Sequence, residues 1–431
     1  MTKKLLPVFS MILVLVFILT ACATPTAAPV ATEAPMATEA ATEAPVATEA
    51  APEPVTVVLW TKEGEADGGL QYVQSLADAF TALYPNVTFE VVNKEVETLR
   101  EDFQTSSLAG DPPSLLWTVS DHAGPFTTAG LIQPVDELFD MSKYVESVVM
   151  NGSTWAVPIS SGNHLMLLYN KALVPTAPAT TDEFVEVAKA LTAGDVYGFA
   201  YNQTEPFFAN PWLGGFGGKV FADDGVTPTL NTPEMVATMQ FLYDIKYTTP
   251  IMPLESDYNG ADTLFKEGKA AMIINGDWSL AGYKEALGDN FGVAPIPEVS
   301  ATGKMPAPMT SGVYFMIPVD LAGAELDAAK MFVEFVTNLE NQTSMVTTLA
   351  RLPGSIEALT IDAITSDPIL KASSEAMTYG TPMPTVIEMR CVWDAWKPEM
   401  IAMLASASGT SAADAAANMQ SAAETCISQL E

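Results

Sequence analysis

Val55-Thr56-Val57-Val58-Leu59-Trp60 is a short β-branched, apolar run of the kind that forms a buried strand. The residues after it decide the fold. Leu70, Val73, Leu76, Ala77, Phe80 and Leu83 recur at helical spacing until Pro85-Asn86 stops the helix. Val87, Phe89 and Val91 then alternate as a second strand. Another helical stretch, Leu99 to Leu108, ends at Gly110-Asp111-Pro112-Pro113, and Ser114-Leu115-Leu116-Trp117 reads as a third strand. Strand, helix, strand, helix, strand predicts an α/β fold: a parallel sheet with helices on its faces and right-handed crossovers.

The same grammar resumes downstream. Leu165 to Tyr169 is a strand, and Thr180 with Glu183 forms a capping box that opens a helix. Asn231-Thr232-Pro233 opens another, with Met235, Val236, Met239, Leu242 and Tyr243 on one face. Ala270 to Ile274 reads as a strand leading into the Asn275-Gly276-Asp277-Trp278 turn, and Val313 to Val319 as another strand. The remainder is mainly helical, closing with Ala412 to Leu430. Leu213-Gly214-Gly215-Phe216-Gly217-Gly218-Lys219-Val220 mimics a phosphate loop but lacks Ser or Thr after the lysine, and reads as a tight loop. Asp223-Asp224-Gly225 is too short for a calcium loop and marks a turn.

Composition narrows the function. Val55 to Glu431 is too long for one compact core and predicts two domains. The chain is 48% hydrophobic and 9% aromatic, as a well-cored globular protein requires. A formal charge of −33 argues against nucleic acid and anionic membrane surfaces as partners, and favours a neutral solute over an anion. His122 and His164 are the two histidines; zinc would want three or four clustered ligands, so they read as polar lining rather than as a metal or catalytic site. No cofactor is implied.

The N-terminus is an address rather than part of a fold. Lys3 and Lys4 precede an apolar run from Leu5 to Leu19, too short and too early for a spanning helix but suited to an export signal. Leu19-Thr20-Ala21-Cys22 resembles the lipobox of bacterial lipoproteins. The resemblance implies cleavage after residue 21, lipid on Cys22, and anchorage to the outer face of the cell membrane. Residues 22–54 then form a tether of Ala, Thr, Glu, Pro and Val, in which ATEAPMATEA (31–40) is followed by ATEAPVATEA (41–50). With so little apolar bulk it cannot offset its ordering entropy. The other two cysteines, Cys391 and Cys426, read as a disulfide in an exported chain, two buried thiols being the alternative.

Further motifs run in collinear order along the chain. They are Val57-Val58-Leu59-Trp60, Gly110-Asp111-Pro112-Pro113, Ala129-Gly130-Leu131-Ile132 with Pro134-Val135, and Ala156-Val157-Pro158-Ile159. Leu168-Tyr169-Asn170-Lys171, Glu205-Pro206-Phe207-Phe208, Phe265-Lys266-Glu267-Gly268 and Met272-Ile273-Ile274-Asn275-Gly276-Asp277-Trp278 complete the series. Together they resemble the bacterial extracellular solute-binding family that includes the maltose/maltodextrin-binding proteins. The resemblance implies a periplasmic-binding-protein-like fold, two α/β lobes joined by hinge strands around a ligand cleft. It places lobe 1 at 55–160 plus about 311–365, and lobe 2 at 161–310 plus about 366–431, with crossings near Ser160–His164, Thr310 and Thr365–Pro368. It implies a monomer that is not an enzyme, captures a neutral oligosaccharide and delivers it to the permease of an ABC importer.

Carried over position by position, the family's aromatic platforms fall on Phe207, Trp278 and Trp393, and its hydroxyl-binding aspartate on Asp121. Glu205, Lys62 and Glu65 fall on further ligand positions, although the order Lys62-Glu63-Gly64-Glu65 departs from the family's Asp-Lys pairing. Asn163 stands where maltose binders often carry glutamate, and His122 where they carry arginine. The chemistry suits a pyranose, whose apolar C–H faces lie on flat rings while its hydroxyl rim wants charged acceptors. The alternatives are a sensory or other-solute lipoprotein, or an exported carbohydrate-active enzyme, which would need two opposed carboxylates in a catalytic motif. Cys22→Ala is expected to release the protein from membranes or leave it as an uncleaved precursor. Undiminished lipid labelling of that variant would overturn the lipobox reading.

Overall fold

The computed structural model describes residues 53–430, so Cys22 and almost all of the tether lie outside the described residues. The strands are β1 (Val55–Thr61), β2 (Val87–Asn93), β3 (Leu115–Val119), β4 (Val149–Met150), β5 (Ser153–Thr154), β6 (Val157–Gly162) and β7 (Leu165–Asn170). They continue with β8 (Tyr197–Ala200), β9 (Ala270–Gly276), β10 (Phe291–Ala294), β11 (Met309–Met316), β12 (Leu352–Pro353) and β13 (Thr381–Pro382). They build two main sheets. The larger runs β12-β6-β11-β3-β1-β2 with β13 beside β11, and the smaller runs β10-β7-β9-β8.

The opening β-α-β-α-β unit forms as the sequence predicts: β1 lies between β2 and β3, parallel to both. A purely parallel sheet does not result, however. β11 runs antiparallel to β3 and to β6, and β7 runs antiparallel to β9 and β10. A strand reached through its own crossover helix must return parallel, whereas β7 and β11 are strands by which the chain enters one sheet from the other. The strand expected at Val313–Val319 is displaced accordingly to Met309–Met316.

The helices begin where local chemistry dictates. Thr180 Oγ1 accepts from the Glu183 amide at 3.3 Å, while the Glu183 carboxylate accepts from the Ala179 amide at 2.9 Å, one residue before the position a standard capping box would use. Thr232 caps the helix Pro233–Tyr243 through the Met235 amide. The glycine-rich stretch is not a loop throughout: Leu213–Phe216 complete the helix Pro206–Phe216, and only Gly217, at φ 94°, turns the chain out of it. The turn at Asp223-Asp224-Gly225 forms, with the Asp224 carboxylate accepting from the Val226 and Thr227 amides.

Each sheet has its own core. Val57, Leu59, Phe80, Trp117, Ile159, Phe315 and Phe332 pack together on the large sheet. Leu165, Phe199, Trp212, Met272, Trp396 and Met419 pack on the small one. Cys391, in the helix Glu388–Leu404, is disulfide-bonded to Cys426, in the helix Ala412–Ile427.

The passage from β6 to β7 is tightly specified. Gly162 has φ 110°, and a Cβ there would lie 2.5 Å from Asp277 Oδ2, so only glycine fits. Asn163 follows at φ 42°, and its amide donates to Asp277 Oδ2 at 3.0 Å.

A buried ion pair fixes the loop leaving β1. Arg351 donates both Nη groups to the Glu63 carboxylate at 2.8 and 2.9 Å, and Trp117 Nε1 donates to the same group at 3.1 Å. Burial alone would raise the Glu63 pKa, but the charges of Arg351 and Lys62 and these hydrogen bonds outweigh it and hold the carboxyl at about 2. A depressed carboxylate contributes its full stability above the unfolded value near 4.5 and loses it as pH falls toward 2.

Two outcomes follow for stability. Glu63→Gln should destabilise the protein by roughly 3–5 kcal/mol at neutral pH, because Arg351 is left charged and unpaired in the interior. It should also flatten the acid-side loss of stability in urea titrations between about pH 5 and pH 2, and equal slopes for variant and parent would refute that assignment. Separately, opening the disulfide by Cys426→Ala should cost roughly 2–4 kcal/mol in the same assay. Free thiols at both positions in mass spectra of the unreduced protein would contradict the link.

Candidate functional site

The site is assembled where loops at the carboxyl ends of the large sheet's parallel strands meet residues packed on the small sheet. The loop after β1 supplies Lys62, Glu63 and Asp67, and the turn after β3 supplies Asp121. From the other side come Phe207 at the start of the helix Pro206–Phe216, Trp278 in the turn after β9, and Trp393 in the helix Glu388–Leu404. All three rings are half-buried and pack against the small sheet's core.

Contacts between the two sides are direct. Trp393 Nε1 donates to Asp121 Oδ2 at 3.1 Å. Trp278 Nε1 donates to Tyr258 Oη at 3.0 Å, and Tyr258 Oη in turn donates to Asp67 Oδ2 at 2.9 Å. Lys62 Nζ lies 5.7 Å from the centre of the Trp278 ring, and Phe207 lies 6.2 Å from Trp278 on its own side. Lys266 Nζ bonds Asp262 at 2.9 Å and the carbonyl of Ala66 at 3.0 Å. Arg100 Nη2 lies 3.0 Å from Glu97 and 3.8 Å from Asp394 across the cleft.

The electrostatics follow from enclosure. Burial raises the Asp121 pKa, against the opposing hydrogen bond from Trp393. Burial pushes Glu97 up to about 7, against the charge and hydrogen bond of Arg100, with Asp121 adding to the rise. Burial, with the nearby charge of Arg100, drives His122 down to about 3, so its ring is neutral. Glu205 pairs with Lys397 at 2.5 Å.

The structure therefore brings Asp121 to Trp393, and Lys62 and Phe207 to Trp278, where the two sides meet. Glu205 is tied to Lys397 beside the helix that bears Trp393. The Glu65 side chain is exposed, and Asn163 is buried at the passage between the sheets. The histidines are buried. His122 Nδ1 is 2.8 Å from Thr118 Oγ1, and His164 Nε2 is 2.9 Å from the Ser373 carbonyl oxygen. Among the described residues no group of three or more His, Cys, Asp or Glu is placed to hold a metal. Sequence reasoning missed Tyr258, Asp67, Arg351 and the Arg100–Asp394 pair, whose partners lie too far away in the chain for any local pattern to join them.

Relatives share this architecture. The chain is 30% identical over 347 residues to a maltotriose-binding protein of Pyrococcus abyssi, covering 78% of this chain and 75% of that one. It is 27% identical to a maltooligosaccharide ABC transporter solute-binding lipoprotein of Streptococcus pneumoniae, over 72% and 75% of the two chains. Among solved structures, it superposes with a TM-score of 0.83 and 34% identity on the maltose/maltodextrin-binding domain from Bdellovibrio bacteriovorus bound to maltotriose, covering 86% of this chain and all of that one. A maltotriose-binding protein of Thermus thermophilus with maltotriose gives 0.79 and 25% over the same shares. The family model described as bacterial extracellular solute-binding protein matches residues 75–372. The family match and the 30% identical relative agree, and the chain belongs to the bacterial extracellular solute-binding protein family.

Proposed function

We propose that this protein is the capture component of an ABC importer for a neutral, maltodextrin-like oligosaccharide, anchored outside the cell through lipid on Cys22 and acting as a monomer without catalysis. The observation that carries the reading is the pairing of three aromatic faces, Phe207, Trp278 and Trp393, with a carboxylate, Asp121, brought from the opposite side to 3.1 Å of the Trp393 indole. Flat rings suit the C–H faces of a pyranose, and an enclosed carboxylate accepts strongly from its hydroxyls. Asn163, His122, Lys62, Glu65 and Glu205 are assigned to the polar surroundings of the same ligand.

The lobes are assigned as 55–160 with about 311–365, and 161–310 with about 366–431; the membership of β6 and β11 in one sheet and of β7 and β10 in the other supports this division. A ligand that touches both lobes favours the closed form, because only closure brings both sets of contacts together. Delivery then requires a permease that recognises the closed form.

Calorimetry with maltose, maltotriose, trehalose and cyclodextrins tests the reading. Trp278→Ala or Trp393→Ala should weaken sugar binding by roughly 1–3 kcal/mol, the scale of a buried apolar side chain. Asp121→Ala should cost about 1.5–3 kcal/mol through lost charge-assisted hydrogen bonds. Wild-type affinity in all three variants would remove the cleft assignment, and failure of every neutral oligosaccharide to bind would give way to a sensory or other-solute role.

A further inference from the structure

The loop after β1 is gripped twice by a single helix on the opposite side of the cleft. The helix Tyr258–Lys266 spans two and a half turns and contributes a side chain from each end. At its first residue, Tyr258 donates to Asp67 Oδ2; at its last, Lys266 donates to the carbonyl of Ala66. The gripped loop cannot yield easily. Glu63, only a few residues upstream, is locked by Arg351 and Trp117, and its neighbour Gly69 packs so closely that a Cβ there would lie 2.6 Å from Glu63 Oε2.

Tyr258 also accepts the indole N–H of Trp278, so one hydroxyl serves as acceptor on its own side and donor across the cleft. The indole N–H of Trp278 can only donate, so Tyr258 must accept from it and its own proton is left for Asp67. The chain of donors is therefore directional: Trp278 to Tyr258 to Asp67.

We infer that Tyr258 is a positioning residue that couples the orientation of the Trp278 ring to closure of the cleft, and that with Lys266 it forms a latch holding the closed form by protein contacts alone. The inference rests on the proposed role of Trp278 as a sugar platform for its ligand effect, but not for its effect on closure. When the cleft opens, Tyr258 loses its acceptor but keeps the indole N–H of Trp278, so the hydroxyl that orients the ring is fixed on both sides only in the closed form. A ligand stacked on Trp278 then stabilises the latch, and the latch in turn slows ligand release.

The test uses the mature full-length protein, maltotriose as the probe, and fluorescence energy transfer between dyes placed one on each lobe. Tyr258→Phe keeps the ring and removes both hydrogen bonds. It should shift the sugar-free population toward the open distance and raise the maltotriose dissociation rate about tenfold, the scale of a hydrogen bond to a carboxylate. Asp67→Asn should act in the same direction, and the double variant should be no worse than Tyr258→Phe alone, since both changes cut one chain. Lys269→Met, which removes only the exposed partner of Glu267, serves as the control and should change neither readout.

An unchanged sugar-free distance distribution in Tyr258→Phe would overturn the latch, whatever the ligand. A shifted distribution with an unchanged maltotriose dissociation rate would overturn the coupling to Trp278. If the parent protein does not bind maltotriose, the sugar reading fails while the distance measurement still decides the latch.

Discussion

Glu63 and Arg351 meet inside the protein across 288 residues of sequence, and the cleft is built on that meeting. A buried ion pair is weak evidence for stability as such, since desolvating two charges offsets much of their attraction. Its value here is positional. The carboxylate is held by two guanidinium bonds and one indole N–H, so the loop that follows β1 has a single place to be. Lys62 and Asp67 leave that loop toward the opposite side, and the Trp278 ring is reached by both, directly from Lys62 and through Tyr258 from Asp67. A floppy loop would blur every one of those distances.

What could be read in the sequence was whatever the chain states locally. The βαβαβ opening is written in hydrophobic period and breakers from Val55 to Trp117, and it forms as read. Caps at Thr180 and Thr232 are written in neighbouring residues. The direction of β11 is not local, because it depends on which sheet the strand has come from. Nor is the role of Tyr258, whose acceptor lies 191 residues away, or that of Arg351. The glycine-rich stretch misled for the converse reason. Its composition suggests a loop, but Gly214 is packed against Ala307 and Gly215 against Val299 and Pro306, and burial outweighs the poor helix propensity of glycine.

The candidate aromatic residues come from family resemblance rather than from pattern. Trp393 and Trp396 sit three apart on one helix, and nothing in that spacing says which ring is core. The structure separates them: Trp396 is fully buried, whereas Trp393 is half-exposed and bonded to Asp121. Three rings on one side and carboxylates on the other make the cleft asymmetric.

The position of β11 has a consequence for how the molecule is made. It lies between β3 and β6, in the middle of the large sheet, yet it is synthesised after the whole of the small sheet. A chain that emerges N-terminus first therefore cannot join β1, β2 and β3 to β6 until residue 309 has appeared. The early half of the protein is kept short of its final fold for most of its synthesis, and non-local assembly of this kind is slow. Late arrival of a central strand is an assembly order written into topology: every strand of the small sheet is already present while the large sheet still waits for its middle.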